Sequence, residues 1–224
     1  MPDSDQRNAV IDAFLALLAE RDYAAIPLGL IATRAGLSLA ELRTAFDGKL
    51  AILAGFSRRI DRAVLEGIDP NMADQPARER LFDTMMRRFD ALMPHRAAIA
   101  SISRAFRGDP ALALAFAPIA LRSQMWMLTA ADIDTNGMRG AIAARGLALA
   151  YGRTIKVWLE DEDAGMARTM AELDKRLRRA ERGMNRLEDV ARLAAPLRRL
   201  ACRLTSHRRP EAPPPREAEP SPSI

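Results

Sequence analysis

A glycine set between two short helical patterns constrains this chain more than any other feature. The stretch LIATRAGLSLAELRTAF, Leu30 to Phe46, has helical spacing on both sides of Ala35-Gly36-Leu37-Ser38. Gly36 can enter the left-handed conformation that ends a helix without a Cβ penalty. Ser38 is a good N-cap, and Glu41 three residues later completes a capping box. One helix is therefore expected to stop and another to start within three residues. Ile31, Ala32 and Ala35 form the inner face of the first, Leu42 and Phe46 that of the second, and Leu37 closes the corner. Leu39, Ala40, Arg43 and Thr44 are left on the outer face of the second helix.

A three-residue turn with small residues at the crossing is the helix-turn-helix pattern. The second helix of such a unit can enter a DNA major groove with its N-terminal residues toward the bases. The flanking sequence predicts more helix: 9–22 after a polar, frayed 1–8, and 49–65 with Ile52, Leu53, Phe56, Ile60 and Val64 on one face. EGIDPNMADQP, Glu66 to Pro76, reads as a linker between two domains. Further helices are expected over 78–94, 96–106, 110–128 with Pro118 inside, 138–159, and after Glu160-Asp161-Glu162-Asp163, whose acids suit a helix N-terminus. The four acids are expected to fan outward as a solvated junction. Domains are thus placed at 1–66, 77–184, a basic helix 185–209 and a disordered tail 210–224.

Ala and Leu dominate the 49% hydrophobic content, which favours helix over sheet. The chain has 224 residues, enough for a real core. No apolar run reaches spanning length by this reading and no signal peptide is evident, so a cytoplasmic protein is expected. The single cysteine, Cys202, excludes an intramolecular disulfide, and His95 and His207 lie far apart, so no metal centre or other cofactor is expected. The net charge of +5 suits an anionic partner, nucleic acid or membrane surface. No nucleophile, acid–base pair or phosphate loop supports an enzyme.

The segment IATRAGLSLAELRTAFDGKLAIL resembles the DNA-binding signature of the TetR family of transcriptional regulators. The Ile31-Ala32 pair, the Ala-Gly-Leu-Ser turn, Leu42, Phe46, Lys49 and the following Ala-Ile-Leu match in register. The resemblance implies an all-α homodimer with one such head per subunit, contact with double-stranded DNA, and a C-terminal helical domain for ligand and dimerisation. Ser38 and Lys49 would then hold phosphates, and Leu39, Ala40, Arg43 and Thr44 would meet the groove. An apolar ligand would change the spacing of the heads. The sequence departs from the family at Arg43, where an aromatic is usual, and at Ala45, where His is frequent. Ile26 and Pro27 stand where Thr or Ser opens the second helix, and Gly29 and Leu30 where polar residues are usual. The alternative is a helix-turn-helix kept as scaffold.

A second resemblance lies further on. RERLFDTMMRRFDALMPHRAAI, Arg78 to Ile99, and VWLEDEDAGMARTMAELDKRL, Val157 to Leu177, are similar to the lipid-binding accessory family of ubiquinone biosynthesis. That family implies a deep apolar pocket for an isoprenoid or other lipid and a C-terminal helix on membrane. Candidate pocket residues are Phe89, Met93, Phe106, Phe116, Met125, Trp126, Met127, Tyr151 and Trp158, with Ser123, Gln124 and Arg153 as polar groups that orient a ligand.

The segment from Asp174 to Arg209 carries a dozen Lys and Arg around a stripe of Leu177, Met184, Leu187, Val190, Leu193, Leu197, Leu200 and Leu204, divided by Pro196. It reads as a solvated helix on the body or a partner subunit, as a helix lying on anionic membrane, or as an electrostatic arm for DNA. Deletion of 186–224 is expected to leave the thermal midpoint nearly unchanged and to reduce sedimentation with anionic liposomes. A cooperative loss of folding on deletion would make the segment a packed structural helix instead.

Overall fold

The computed structural model describes residues 4–184 and 186. The expected basic helix, apart from Arg186, and the expected tail lie outside them. Among the described residues the regular structure is all helical: α1 (Ser4–Glu20), α2 (Leu28–Ala35), α3 (Leu39–Ala45), α4 (Lys49–Glu66), α5 (Ala77–Leu92), α6 (Arg96–Gly108), α7 (Pro110–Ala130), α8 (Gly137–Glu160), and α9, from 167 to at least 184.

The local signals act as their chemistry dictates. Gly36 has φ 70°, and Leu37 N–H reaches back to the Ala32 carbonyl at 3.0 Å, closing the last turn of α2. Ser38 Oγ accepts from Glu41 N–H while Ser38 N–H donates to Glu41 Oε2 at 2.8 Å, forming both arms of the capping box. Asp109 caps α7 through Leu112 N–H at 3.0 Å, with Pro110 in the first turn.

Three expectations are corrected. The N-terminal residues do not fray up to position 8: α1 begins at Ser4 because Arg7 ties its first turn down. The Arg7 guanidinium lies 4.2 Å from the Phe46 ring centroid and donates to the Ala45 carbonyl. The four acids at the end of α8 do not all point to solvent. Asp161 is buried, and its carboxylate accepts from Thr169 N–H at 2.8 Å and Thr169 Oγ1 at 2.7 Å. Those hydrogen bonds hold its pKa below the usual range. And α7 is long and apolar enough to cross a membrane by length and composition, contrary to the sequence reading. Here α7 packs on α4, α5, α6 and α8.

The boundary expected at Glu66–Pro76 does not divide the core. The described residues up to Glu181 form one compact unit. In this unit α1 rests on both α2 and α6, and α4 rests on α1, α5 and α7. Ser101 of α6 donates to the Arg21 carbonyl at 3.1 Å, directly behind the first helix. One hydrophobic cluster runs from Val10 and Phe14 through Ile52, Phe56 and Met85 to Trp158 and Leu173. The linker is only a surface excursion, because α4 packs on α1 before it and on α5 and α7 after it.

A buried polar cluster fastens these helices. Arg88 of α5, 5% exposed, forms an ion pair with Asp61 of α4, 6% exposed. Ser123 of α7 donates to the same Asp61 oxygen at 2.7 Å, and Tyr151 of α8 lies with its ring 5.4 Å from the guanidinium. Burial opposes the charge on Arg88, but Tyr151 and Asp61 outweigh it and raise its pKa. Breaking a buried pair strands the remaining charge. Arg88→Met is expected to lower unfolding stability by about 3–5 kcal/mol, and Arg88→Met with Asp61→Leu to recover most of that, both read by urea denaturation.

Candidate nucleic-acid interface and cavity

The face of α3 that remains free is small. Leu42 and Ala45 are buried against α1 and α2, so the helix cannot roll. Ser38, Leu39, Ala40, Arg43 and Thr44 are all exposed, Leu39 by 58%. The structure therefore brings five of the six expected contact residues together at the capped end and outer side of one short helix. Their side chains have local partners. The Arg43 guanidinium pairs with Asp47 one turn on. Thr44 Oγ1 donates to the Ala40 carbonyl at 2.9 Å. Ser38 is held by the capping box.

Lys49 differs from the rest. It is half-buried, with Nζ donating to the Tyr23 carbonyl at 2.8 Å and sitting 4.2 Å from the Tyr23 ring centroid. Burial lowers its pKa. Two of its donors remain for other partners, but its first task is to tie the start of α4 to the turn after α1. Sequence reasoning missed Arg7 and Arg58. Both line one shallow basin with Arg43 and Thr44 at the edge of α3, so three guanidinium groups border it. Nothing in the linear spacing of residues 7, 43 and 58 signals that meeting.

The second feature is a cavity of about 400 Å³ between α4, α5, α6, α7 and α8. Of the expected lining, Phe106, Phe116 and Tyr151 face it, with Ser123 and Gln124. Phe106 and Phe116 stack 5.0 Å apart. Phe89, Met127 and Trp158 are solid core instead, Phe89 lying 5.8 Å from Trp158 and 5.6 Å from Tyr151. Met93 packs against the core from outside the cavity, while Met125 and Trp126 turn to the surface of α7, 40% and 51% exposed. Arg153 is exposed and away from the lining. Helical periodicity marks large apolar residues without saying which side of a helix meets a void. Leu53, Phe56, Ile99 and Ile102 complete the wall, and nothing in the sequence marked them as lining.

No protein-family model and no curated protein matches this chain. Solved structures do. A TetR transcriptional regulator from Nitrosomonas europaea ATCC 19718 is 24% identical, with TM-score 0.61, covering 78% of this chain and 97% of its own. One from Rhodococcus sp. RHA1 is 17% identical, with TM-score 0.59, covering 79% and 95%. A TetR-family regulator from Streptomyces coelicolor is 21% identical, with TM-score 0.52, covering 92% and 98%. The chain has the fold of the TetR transcriptional regulators.

The cap and the lysine tether set the pose of the outer face of α3. Ser38→Ala is expected to cost about 1 kcal/mol as a lost N-cap. Lys49→Met is expected to cost about 1 kcal/mol through the lost ring and carbonyl contacts. Urea unfolding of the full chain measures both.

Proposed function

We propose that this protein is a DNA-binding transcriptional regulator that acts as a homodimer and responds to an apolar small ligand. The observation that carries the reading is the free face of α3. Leu39, Ala40, Arg43 and Thr44 are solvent-exposed on a helix whose other side is locked into the core. Leu39 and the Thr44 methyl suit a thymine methyl, and Arg43 suits a guanine edge or a phosphate once it leaves Asp47. Arg7, Arg58 and Lys49 flank that face as phosphate contacts, which would set register rather than sequence.

Two heads need two subunits. Met138, Ile142 and Leu149 form an exposed apolar stripe along one side of α8, 80%, 39% and 67% exposed. Such a stripe supports a two-fold contact between copies, matching two heads to two half-sites. Regulation would run through α6, which lines the cavity with Ile99, Ile102 and Phe106 and packs on α1. A ligand that favours one seat of α6 would tilt the head.

A second reading is an isoprenoid- or lipid-binding accessory protein with a silent helix-turn-helix. The apolar cavity favours it equally, and the DNA experiment separates the two. In gel-shift titrations against fragments of the native upstream region, the wild-type chain is expected to give a specific shift. Arg43→Ala is expected to weaken it by about 1–3 kcal/mol. Asp47→Asn, which releases Arg43, is expected to strengthen binding. Absence of any specific shift at low salt would leave α3 as scaffold and favour the lipid reading. Light scattering is expected to show a dimer at micromolar concentration, and Leu149→Glu a monomer.

A further inference from the structure

The cavity wall is mostly apolar and carries two sets of polar groups, buried Gln124 and Arg88, and Arg107 with Lys156, which also line an adjoining surface depression. The inner end of the cavity holds Gln124, 1% exposed, whose amide oxygen has no hydrogen-bond partner among the described residues. Arg88, at the same end, keeps its Nε–H unpartnered although its Nη1 is paired with Asp61. A buried acceptor and a buried donor left open in one cavity call for a group that both donates and accepts. The Arg88–Asp61 pair is already neutral, so a further anion there would lie against Asp61 without a counter-charge. An uncharged hydroxyl satisfies both open positions.

The outer end is different. Arg107 and Lys156 line the cavity and also the adjoining surface depression, where Arg104 joins them and Glu160 is the one acid. Arg107 and Lys156 form no ion pair among the described residues, and Arg104 reaches Asp22 only at 3.7 Å. An excess of positive charge at an open mouth suits an anionic group that stays partly in water. Between the ends, Phe116 and Gln124 are eight residues apart on α7, a span of about 12 Å by helical rise.

We propose that the cavity binds a medium-chain amphiphile with a carboxylate at Arg107 and Lys156, a methylene body along Phe106 and Phe116, and a hydroxyl at the far end between Gln124 and Arg88. The inference rests on the ligand-responsive reading above and names the chemistry of that ligand. It requires no covalent step.

The test is calorimetric titration of the full chain, without DNA, with decanoate, ω-hydroxydecanoate and decanol. The hydroxy acid is expected to bind about tenfold tighter than decanoate, the worth of one or two buried hydrogen bonds. Decanol, which has the hydroxyl and lacks the carboxylate, is expected to bind severalfold more weakly than the hydroxy acid, and only the acids should weaken as salt rises. Gln124→Leu should erase the preference for the hydroxy acid, with thermal unfolding showing that the fold is kept. Arg107→Gln with Lys156→Gln should weaken both acids severalfold and leave decanol unaffected. Equal binding of decanoate and the hydroxy acid, decanol binding as tightly as the hydroxy acid, or no binding of any of the three would overturn the proposal. A preference as expected, with no effect of the hydroxy acid on DNA affinity, would uphold the ligand chemistry and reject the regulatory role of the cavity.

Discussion

The ion pair between Asp61 and Arg88 is the contact on which the arrangement of this chain depends. It joins α4, the continuation of the helix-turn-helix head, to α5. Ser123 and Tyr151 extend it to α7 and α8. Because the cluster is buried, each member is held by the cost of leaving it uncompensated. The same cluster forms the closed end of the cavity. Head and cavity are therefore two faces of one packed body.

The outer face of α3 is restrained electrostatically. Arg43 faces Asp47, Glu41 is spent on the cap, and Lys49 is drawn onto Tyr23. Exposed pairs of the Arg43–Asp47 kind are worth little in water, so exchanging Asp47 for a phosphate or a base costs little. The one cation of α3, Arg43, is thus paired, and two further arginines, Arg7 and Arg58, stand to its side.

Much of the fold was legible in the sequence because short-range chemistry determines it. Gly36, Ser38 and Glu41 act on their own neighbours, so the α2–α3 joint follows from residues within one turn of each other. The outer face of α3 follows too, since a helix with Leu42 inside has one opposite side. The stop near Pro94 and the start at Pro110 are equally local, as Pro lacks the donor a helix interior needs. The misreadings share a different cause. The true start of α1 depends on Arg7 reaching Phe46, and the buried role of Asp161 depends on Thr169 and Arg96.

The cavity shows most sharply what only the tertiary structure decided. Phe106, Phe116 and Tyr151 face the void, while Phe89 and Trp158 fill the core and Trp126 faces outward. All six have the same chemistry and similar spacing. Which side of each helix meets a gap depends on how five helices pack, and no local pattern encodes that. Gln124 reads in the sequence as one polar residue among apolar ones. Its lack of a partner exists only once α4, α5 and α8 close over it. The sequence by itself determined that the chain is helical and carries a turn able to present α3, because capping and periodicity are local. The tertiary structure alone decided that head and cavity share one core, because a buried charge must find its partner across the chain.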